Sequence, residues 1–376
     1  MTDNRGSSAS EPPKRILIVL LGAIGDVVRA LPLLGRMRRA WPLAHIAWAV
    51  EPKSRPLLEG HPWLDQLIVY ERTRAPWSFA PFLIEVRHGH FDLVLDLQRH
   101  LKSGLASLVS RAPERLGFSA TNTKELNHWF SSRTIGPQPR MRLKLAQYLT
   151  FADRLELPPT PVEFGLRPSS DESRRVRALL ADAPQPRLAV ILGSSWPSRV
   201  YFPEAVAAVV HNLAAPADHA LFPILVGGPE ELALAAEVTR YLGSTRCLNL
   251  AGRTGLRDLF ALFEECSAAF GPDSGPMHIA AAMGCPVVSL WGATAPARSA
   301  PWGFADFALA AEIPCHPCYL RRCPIGRECM RRIAPEEVAA ALRRALVTVH
   351  ERPVEASIDA HESARDDAPG LVIGDS

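Results

Sequence analysis

The sequence predicts an α/β protein made of two halves, each a doubly wound parallel sheet. Three observations lead there. At 376 residues the chain is longer than one typical core, and about 150 residues per domain makes two units the expectation. Short β-branched apolar runs alternate with helix-length segments, the pattern of βαβ units. The alternation stops at one proline-rich stretch and then begins again.

The first half opens with ILIVLLGAIGDVVRALP at Ile16, which reads as a buried strand over Ile16–Leu20, a glycine turn and a helix over Val27–Ala40. Further strands are expected at Ile46–Val50, Gln66–Tyr70 and Leu93–Leu97, and a helix at Leu143–Leu155. LPPTPVEFGLRPSSDES then reads as an extended linker. The second half restarts with a strand at Leu188–Leu192 and a helix in FPEAVAAVVHNL. A strand at Leu221–Val226 ends in Gly227-Gly228 and leads to a helix over Glu230–Leu242. A short strand at Ala268–Gly271, a helix over Met277–Met283, a strand at Val287–Trp291 and a helix from Pro335 to about His350 complete it. The expected organisation is a domain over 14–165 and another over 166–352, with disordered polar tails at 1–13 and 353–376.

Composition excludes some classes. Hydrophobic residues at 47% and charged residues at 22% are ordinary globular values, and a net charge of +3 is too small to argue for nucleic acid. The apolar run after Lys14-Arg15 does not read as a secretion signal: Asp26 and Arg29 interrupt it early and no small-residue cleavage site follows. No segment approaches the ~20 apolar residues needed to cross a bilayer. A cytoplasmic protein with its seven cysteines reduced is the expectation.

The first glycine turn is not a dinucleotide fingerprint. Gly22 and Gly25 are separated by two residues, no third glycine follows, and Asp26 stands where a phosphate would lie. Ligands of open parallel sheets bind beyond the carboxyl ends of the strands, and the second half offers three such turns: GSSWPSR (Gly193–Arg199), GGPEE (Gly227–Glu231) and GPDSGPMHIAAAMG (Gly271–Gly284). Ser274 and Gly275 can present backbone N–H groups to an anion at a helix start. His278 faces the same space, and Arg199 suits bidentate phosphate contact. Plain alternatives stand beside each: Asp273-Ser274 as a helix cap, His278 as a core histidine, Gly227-Gly228 as a simple turn, Asp26 as the cap of its own helix.

The stretches LLGAIGDVVRALP, LDLQRHLKSG, GSSWPSR, GPDSGPMHIAAAMGCPVVSLWGAT and CHPCYLRRCPIGRECM, in that order from Ile16 to about Ile333, together resemble glycosyltransferase family 9, the bacterial ADP-heptose:lipopolysaccharide heptosyltransferases. The resemblance implies a GT-B fold, two Rossmann-like domains facing across a cleft, with the sugar nucleotide on the second. It implies that Ser194 and Ser195 lie near the diphosphate and that Glu230 or Glu231 binds the nucleotide ribose. Asp273, Ser274, Gly275 and His278 match the loop for heptose and diphosphate. Arg199 stands where the family usually has a lysine that neutralises the leaving phosphate, and Val200-Tyr201 replaces a more usual Arg-Trp. The resemblance assigns the catalytic base to Asp26, on the face opposite the leaving group, as an inverting reaction requires. No Asp-x-Asp triplet is present, so metal-independent transfer is expected, with no cofactor required for catalysis. Another sugar nucleotide or a protein acceptor, and a non-transferring epimerase or binding-only relative, are the competing readings.

The implied acceptor is Kdo-bearing lipid A or its first heptosylated product, anionic and membrane-bound, which places the enzyme at the cytosolic face of the inner membrane with peripheral contact. Gly25, Arg29 and Lys102 are the acceptor candidates, with Lys53, Arg55, Arg99 and Arg111 as further anion contacts or simply a solvated face. RAPWSFAPFLIEVRHG reads either as a membrane-facing segment or as an ordinary packed helix. Cys315, Cys318, Cys323 and Cys329 supply thiols for a structural zinc or iron, for disulfides, or for neither.

Overall fold

The computed structural model describes residues 11–74, 77–213 and 221–351; apart from residues 11–13, the two expected tails lie outside them. The first sheet consists of β1 (Arg15–Val19), β2 (His45–Val50), β3 (Gln66–Val69), β4 (Leu93–Asp96), β5 (Glu114–Gly117) and β6 (Arg133–Thr134). All pairings are parallel and the order is β3-β2-β1-β4-β5-β6. Its helices are α1 (Ile24–Ala40), α2 (Arg55–Leu58), α3 (Phe79–His88), α4 (Leu101–Val109) and α5 (Lys144–Arg154).

The second sheet repeats the plan with β7 (Arg187–Ile191), β8 (Phe222–Val226), β9 (Leu248–Asn249), β10 (Ala268–Pro272), β11 (Val287–Trp291) and β12 (Ala308–Ala310), in the order β12-β11-β10-β7-β8-β9. Around it lie α6 (Ser170–Leu179), α7 (Pro203–Leu213), α8 (Leu232–Leu242), α9 (Asp258–Glu264), α10 (Gly275–Ala282), α11 (Pro296–Ser299), α12 (Glu328–Arg331) and α13 (Pro335–Glu351). The central strands are buried on both faces, as parallel strands covered by helices must be, so they read as continuous apolar runs. In each sheet the strand order reverses beside the first strand, between β1 and β4 and between β7 and β10. A crevice opens at each reversal, beyond the carboxyl ends of those strands.

Two expectations shift. The linker is shorter than its composition suggests: Ser169 accepts from the Glu172 N–H while Glu172 accepts from the Ser169 N–H, and this capping box starts α6 inside SSDES. RAPWSFAPFLIEVRHG contributes a packed helix, with Phe82 and Val86 buried and Phe82 and Phe79 ringed around Tyr70, although Trp77 before it is exposed. Among the described residues no helix is long and apolar enough to cross a membrane.

Candidate active site

The turn after β1 and the turn after β10 meet. A Cβ built on Gly25 would lie 2.7 Å from His278 Cδ2, and one built on Gly275 would lie 2.5 Å from Ile24 Cγ2. Only glycine lets the starts of α1 and α10 come this close. The two crevices therefore share one inter-lobe space, and the first lobe brings Asp26 to it.

Asp26 lies within the first turn of α1, whose N-cap is Ala23 with no side-chain capping bond, so Asp26 does not cap this helix. Its carboxylate is 22% exposed and accepts from Arg29 Nη2 and from Lys144 Nζ of α5, each at 2.6 Å. Burial alone would raise this carboxyl, but the Lys144 ammonium and the Arg29 guanidinium outweigh it and hold it far below the usual carboxylate range. The cost falls on the lysine, which burial pushes down to about 8 against the attraction of Asp26. Arg29 itself is 8% exposed and spans the lobes: Nη1 donates to His278 Nε2 at 2.6 Å and reaches the Ser299 carbonyl at 3.4 Å. A guanidinium only donates, so His278 accepts through Nε2 and is uncharged. Burial and the neighbouring Arg29 charge both keep its pKa well below the ordinary value.

On the second lobe, Asp273 organises the turn after β10. Its carboxylate accepts from Thr294 Oγ1 at 2.7 Å and pairs with Arg199 Nη1 at 3.0 Å, and its backbone carbonyl accepts from Ser194 Oγ at 2.7 Å. Asp273 therefore faces inward and aims Arg199. The Arg199 guanidinium lies over the Trp196 ring at 4.0 Å, with Nε buried and unbonded. Ser274 is the N-cap residue of α10, yet its hydroxyl makes no capping bond and is buried without a partner. The capping alternative thus fails for Asp273-Ser274. What remains is a buried, unpartnered hydroxyl at the start of α10 and an Arg199 guanidinium held by the preceding Asp273, with its Nε unbonded. Gly275 opens that helix.

The remaining candidates separate. Glu231 accepts from the Gly228 N–H at 2.7 Å, and its carboxylate covers Gly193, where a Cβ would lie within 2.7 Å of three of its atoms. Glu230 and Ser195 are exposed. Lys102 is also exposed, its Nζ 5.8 Å from the Tyr70 ring centroid. Arg55 is taken by Glu59 at 2.7 Å. Sequence reasoning missed Lys144, which lies 118 residues from Asp26, and Thr294.

All seven cysteines are free, which removes the disulfide reading. Cys315, Cys318 and Cys323 each bear electrostatically on Cys329, but among the described residues no group of three or more His, Cys, Asp or Glu side chains is placed to hold a metal ion. The segment that carries them is tied to the connection between β7 and α7. Ser198 Oγ donates to the Leu320 carbonyl at 2.6 Å, and Arg327 donates to the Val200 carbonyl at 2.7 Å while lying over Phe202.

The family model described as glycosyltransferase family 9 (heptosyltransferase) matches residues 82–328. The chain is 27% identical over 299 residues to the lipopolysaccharide core heptosyltransferase OpsX of Haemophilus influenzae, covering 79% of this chain and 84% of that one. It is 25% identical to lipopolysaccharide heptosyltransferase 1 of Pseudomonas aeruginosa, over 89% of this chain and 98% of the relative. The solved structure of E. coli ADP-heptose lps heptosyltransferase II superposes with a TM-score of 0.71 at 21% identity, covering 90% of this chain and all of that one, so the two share the fold.

Proposed function

The chain belongs to glycosyltransferase family 9, the heptosyltransferases, and from that membership we propose that it moves heptose from ADP-heptose to the Kdo-bearing or heptosylated inner core of lipopolysaccharide, with inversion and without a metal. The observation that carries this reading is a carboxylate from one lobe facing a cationic, hydroxyl-lined pocket of the other across a shared cleft. Residues 14–165 serve as the acceptor lobe and residues 166–352 as the donor lobe.

In this reading the donor diphosphate lies between Arg199, Ser274 Oγ and the start of α10. Glu231, after β8 and beside Gly193, binds the nucleotide ribose in this reading. As the glycosidic bond to the β-phosphate breaks, negative charge grows on the leaving oxygen and these groups meet it. The acceptor hydroxyl attacks the opposite face of the anomeric carbon and gives its proton to Asp26. A carboxylate held between two cations is a weak base. It suffices because the hydroxyl becomes strongly acidic as it bonds to an oxocarbenium-like carbon. The same two cations keep Asp26 ionised, so every enzyme molecule is in the proton-accepting form at neutral pH. No step is assigned to the cysteine cluster. An anionic, lipid-linked acceptor puts the working enzyme at the cytosolic face of the inner membrane.

The test is direct. Purified protein incubated with ADP-heptose and deacylated Kdo-lipid A should release ADP and shift the glycan mass by one heptose. ADP release with an unshifted glycan, or no ADP at all, removes the assignment. A second expectation concerns pH. In Lys144→Met one of the two cations is gone while burial remains, so the Asp26 carboxyl rises. A base must be ionised to act, so the acid limb of kcat/KM should move to higher pH than in the wild type. Superimposable profiles would show that Lys144 does not tune the base.

A further inference from the structure

Helix α4 is inside out. Its buried residues are Ser103, Gly104, Ala106 and Ser107, while Leu101 and Leu108 are exposed and Leu105 is half-buried between them. Leu101, Leu105 and Leu108 follow the i, i+4, i+7 spacing, so an apolar stripe runs along the outside of the helix. On the inside α4 gives the sheet little to hold. From this helix Ala106 alone joins the core formed with Leu17, Val19 and Val94, whereas α3 beside it contributes Phe82 and Val86. A helix that served only to cover the sheet would be turned the other way, with its leucines on the strands.

Its neighbours extend the stripe. The 3-10 turn Asn127–Phe130 packs against α4, with Phe130 lying on Gly104, and leaves Trp129 69% exposed. Leu126 enters that turn at φ +57°, a left-handed value that costs a leucine energy, and is 52% exposed. Glu125 before it is occupied at the helix start, where its carboxylate accepts from the Leu101 N–H at 3.0 Å and meets His100. α3, which also packs against α4, exposes Ile84 beside one acid, Glu85. Cations surround these residues. Positions 97–113 hold Arg99, His100, Lys102 and Arg111 and no acid. Lys102 and Arg111 are exposed, as is Lys124, whose N–H donates to the Arg99 carbonyl at the turn before α4.

We propose that the outer face of α4, with Leu126 and Trp129, seats this protein on a bilayer with anionic headgroups. Leucines and an indole enter the lipid interface, and the surrounding lysines and arginine meet the headgroup phosphates. A second copy of the chain fits less well, since a two-fold contact through this face would set its cations against the same cations. The place of the seat gives it a use. α4 and the turn bearing Trp129 follow the carboxyl ends of β4 and β5, the same end of the sheet at which Asp26 follows β1. The turns before α1 and α4 are joined there, Gly22 N–H donating to Gln98 Oε1 at 3.0 Å. A lipid-linked acceptor is thus met at the membrane it is anchored in. That use rests on the transferase reading above; the seat itself does not.

The experiment sediments the full chain with vesicles of phosphatidylcholine alone and of phosphatidylcholine mixed with phosphatidylglycerol. The wild type should bind the mixed vesicles, less so at high salt, and the neutral ones about tenfold more weakly or worse. Leu101→Ser/Leu108→Ser and Trp129→Ser should each weaken binding to the mixed vesicles about 10- to 100-fold, and Lys102→Gln/Arg111→Gln about tenfold or more. Leu43→Ser removes an exposed leucine before β2, at the opposite end of the sheet, and should bind as the wild type does. In the leucine and tryptophan variants, transfer to Kdo-lipid A held in vesicles should fall with binding, while transfer to deacylated Kdo-lipid A in solution stays within about twofold of the wild type. Vesicle binding that is unchanged in these variants, or equal on neutral and anionic vesicles, overturns the proposal. So does a wild type that binds no vesicles and is dimeric in ultracentrifugation while Leu101→Ser/Leu108→Ser is monomeric, because the face then belongs to a second copy. If the variants lose the vesicles but the wild type transfers heptose to neither acceptor, the lipid seat stands and the transferase assignment falls.

Discussion

Asp26→Asn should lose transfer by about 10²- to 10⁴-fold in kcat, the usual contribution of a positioned base, while ADP binds within about twofold of the wild type. Asparagine keeps the size and the hydrogen-bonding carbonyl, so Arg29 and Lys144 retain an oxygen to meet, but it cannot take the proton. Arg29 links Asp26 to His278 and to the Ser299 carbonyl, so a variant that disturbed the lobe junction would also change ADP affinity. The two readouts together separate lost chemistry from lost structure. A variant with kcat within tenfold of the wild type would mean that the proton goes elsewhere.

Arg199→Ala should cost about 10²- to 10³-fold in kcat, as removal of one preorganised donor to a developing oxyanion does, and should also raise donor KM. The reason lies in its surroundings. Asp273 and Trp196 hold the guanidinium in one orientation with Nε free, so little reorganisation is needed as charge grows on the leaving diphosphate. Arg199→Lys keeps the charge but forfeits the stacking and the fork, and intermediate activity is the expected result. Equal rates in Arg199→Ala and the wild type, measured at saturating donor, would assign the leaving group to other hands.

Much of this arrangement was legible in the residues. The central strands are continuous apolar runs because both faces are covered, and the two glycine turns mark where sheets hand over to helices. The edges were not legible. β5, β6 and β9 are ERLG, RT and LN, too short or too polar to carry a periodicity, and only pairing with a neighbour makes them strands. The site divided in the same way. Arg199 and Ser274 stand in strand-to-helix connections of one sheet and His278 in the helix that follows one of them, all of which sequence order already brings together. Lys144 opens an ordinary amphipathic helix, and nothing in LKLAQYL marks its contact with a carboxylate more than a hundred residues away. Arg29 read as an acceptor contact, one of several basic residues of the first half that could meet an anion. It bonds Asp26 within α1, and its bond to His278 exists only once the lobes meet.

Gly25 and Gly275 bring the two helix starts together, each lying directly against a side chain of the other, His278 and Ile24. In the proposed reaction, the gap across which a proton and a sugar must be exchanged is thus fixed by two missing methyl groups. Anything added at either position would act as a wedge, moving base and electrophile apart without touching a single reactive atom.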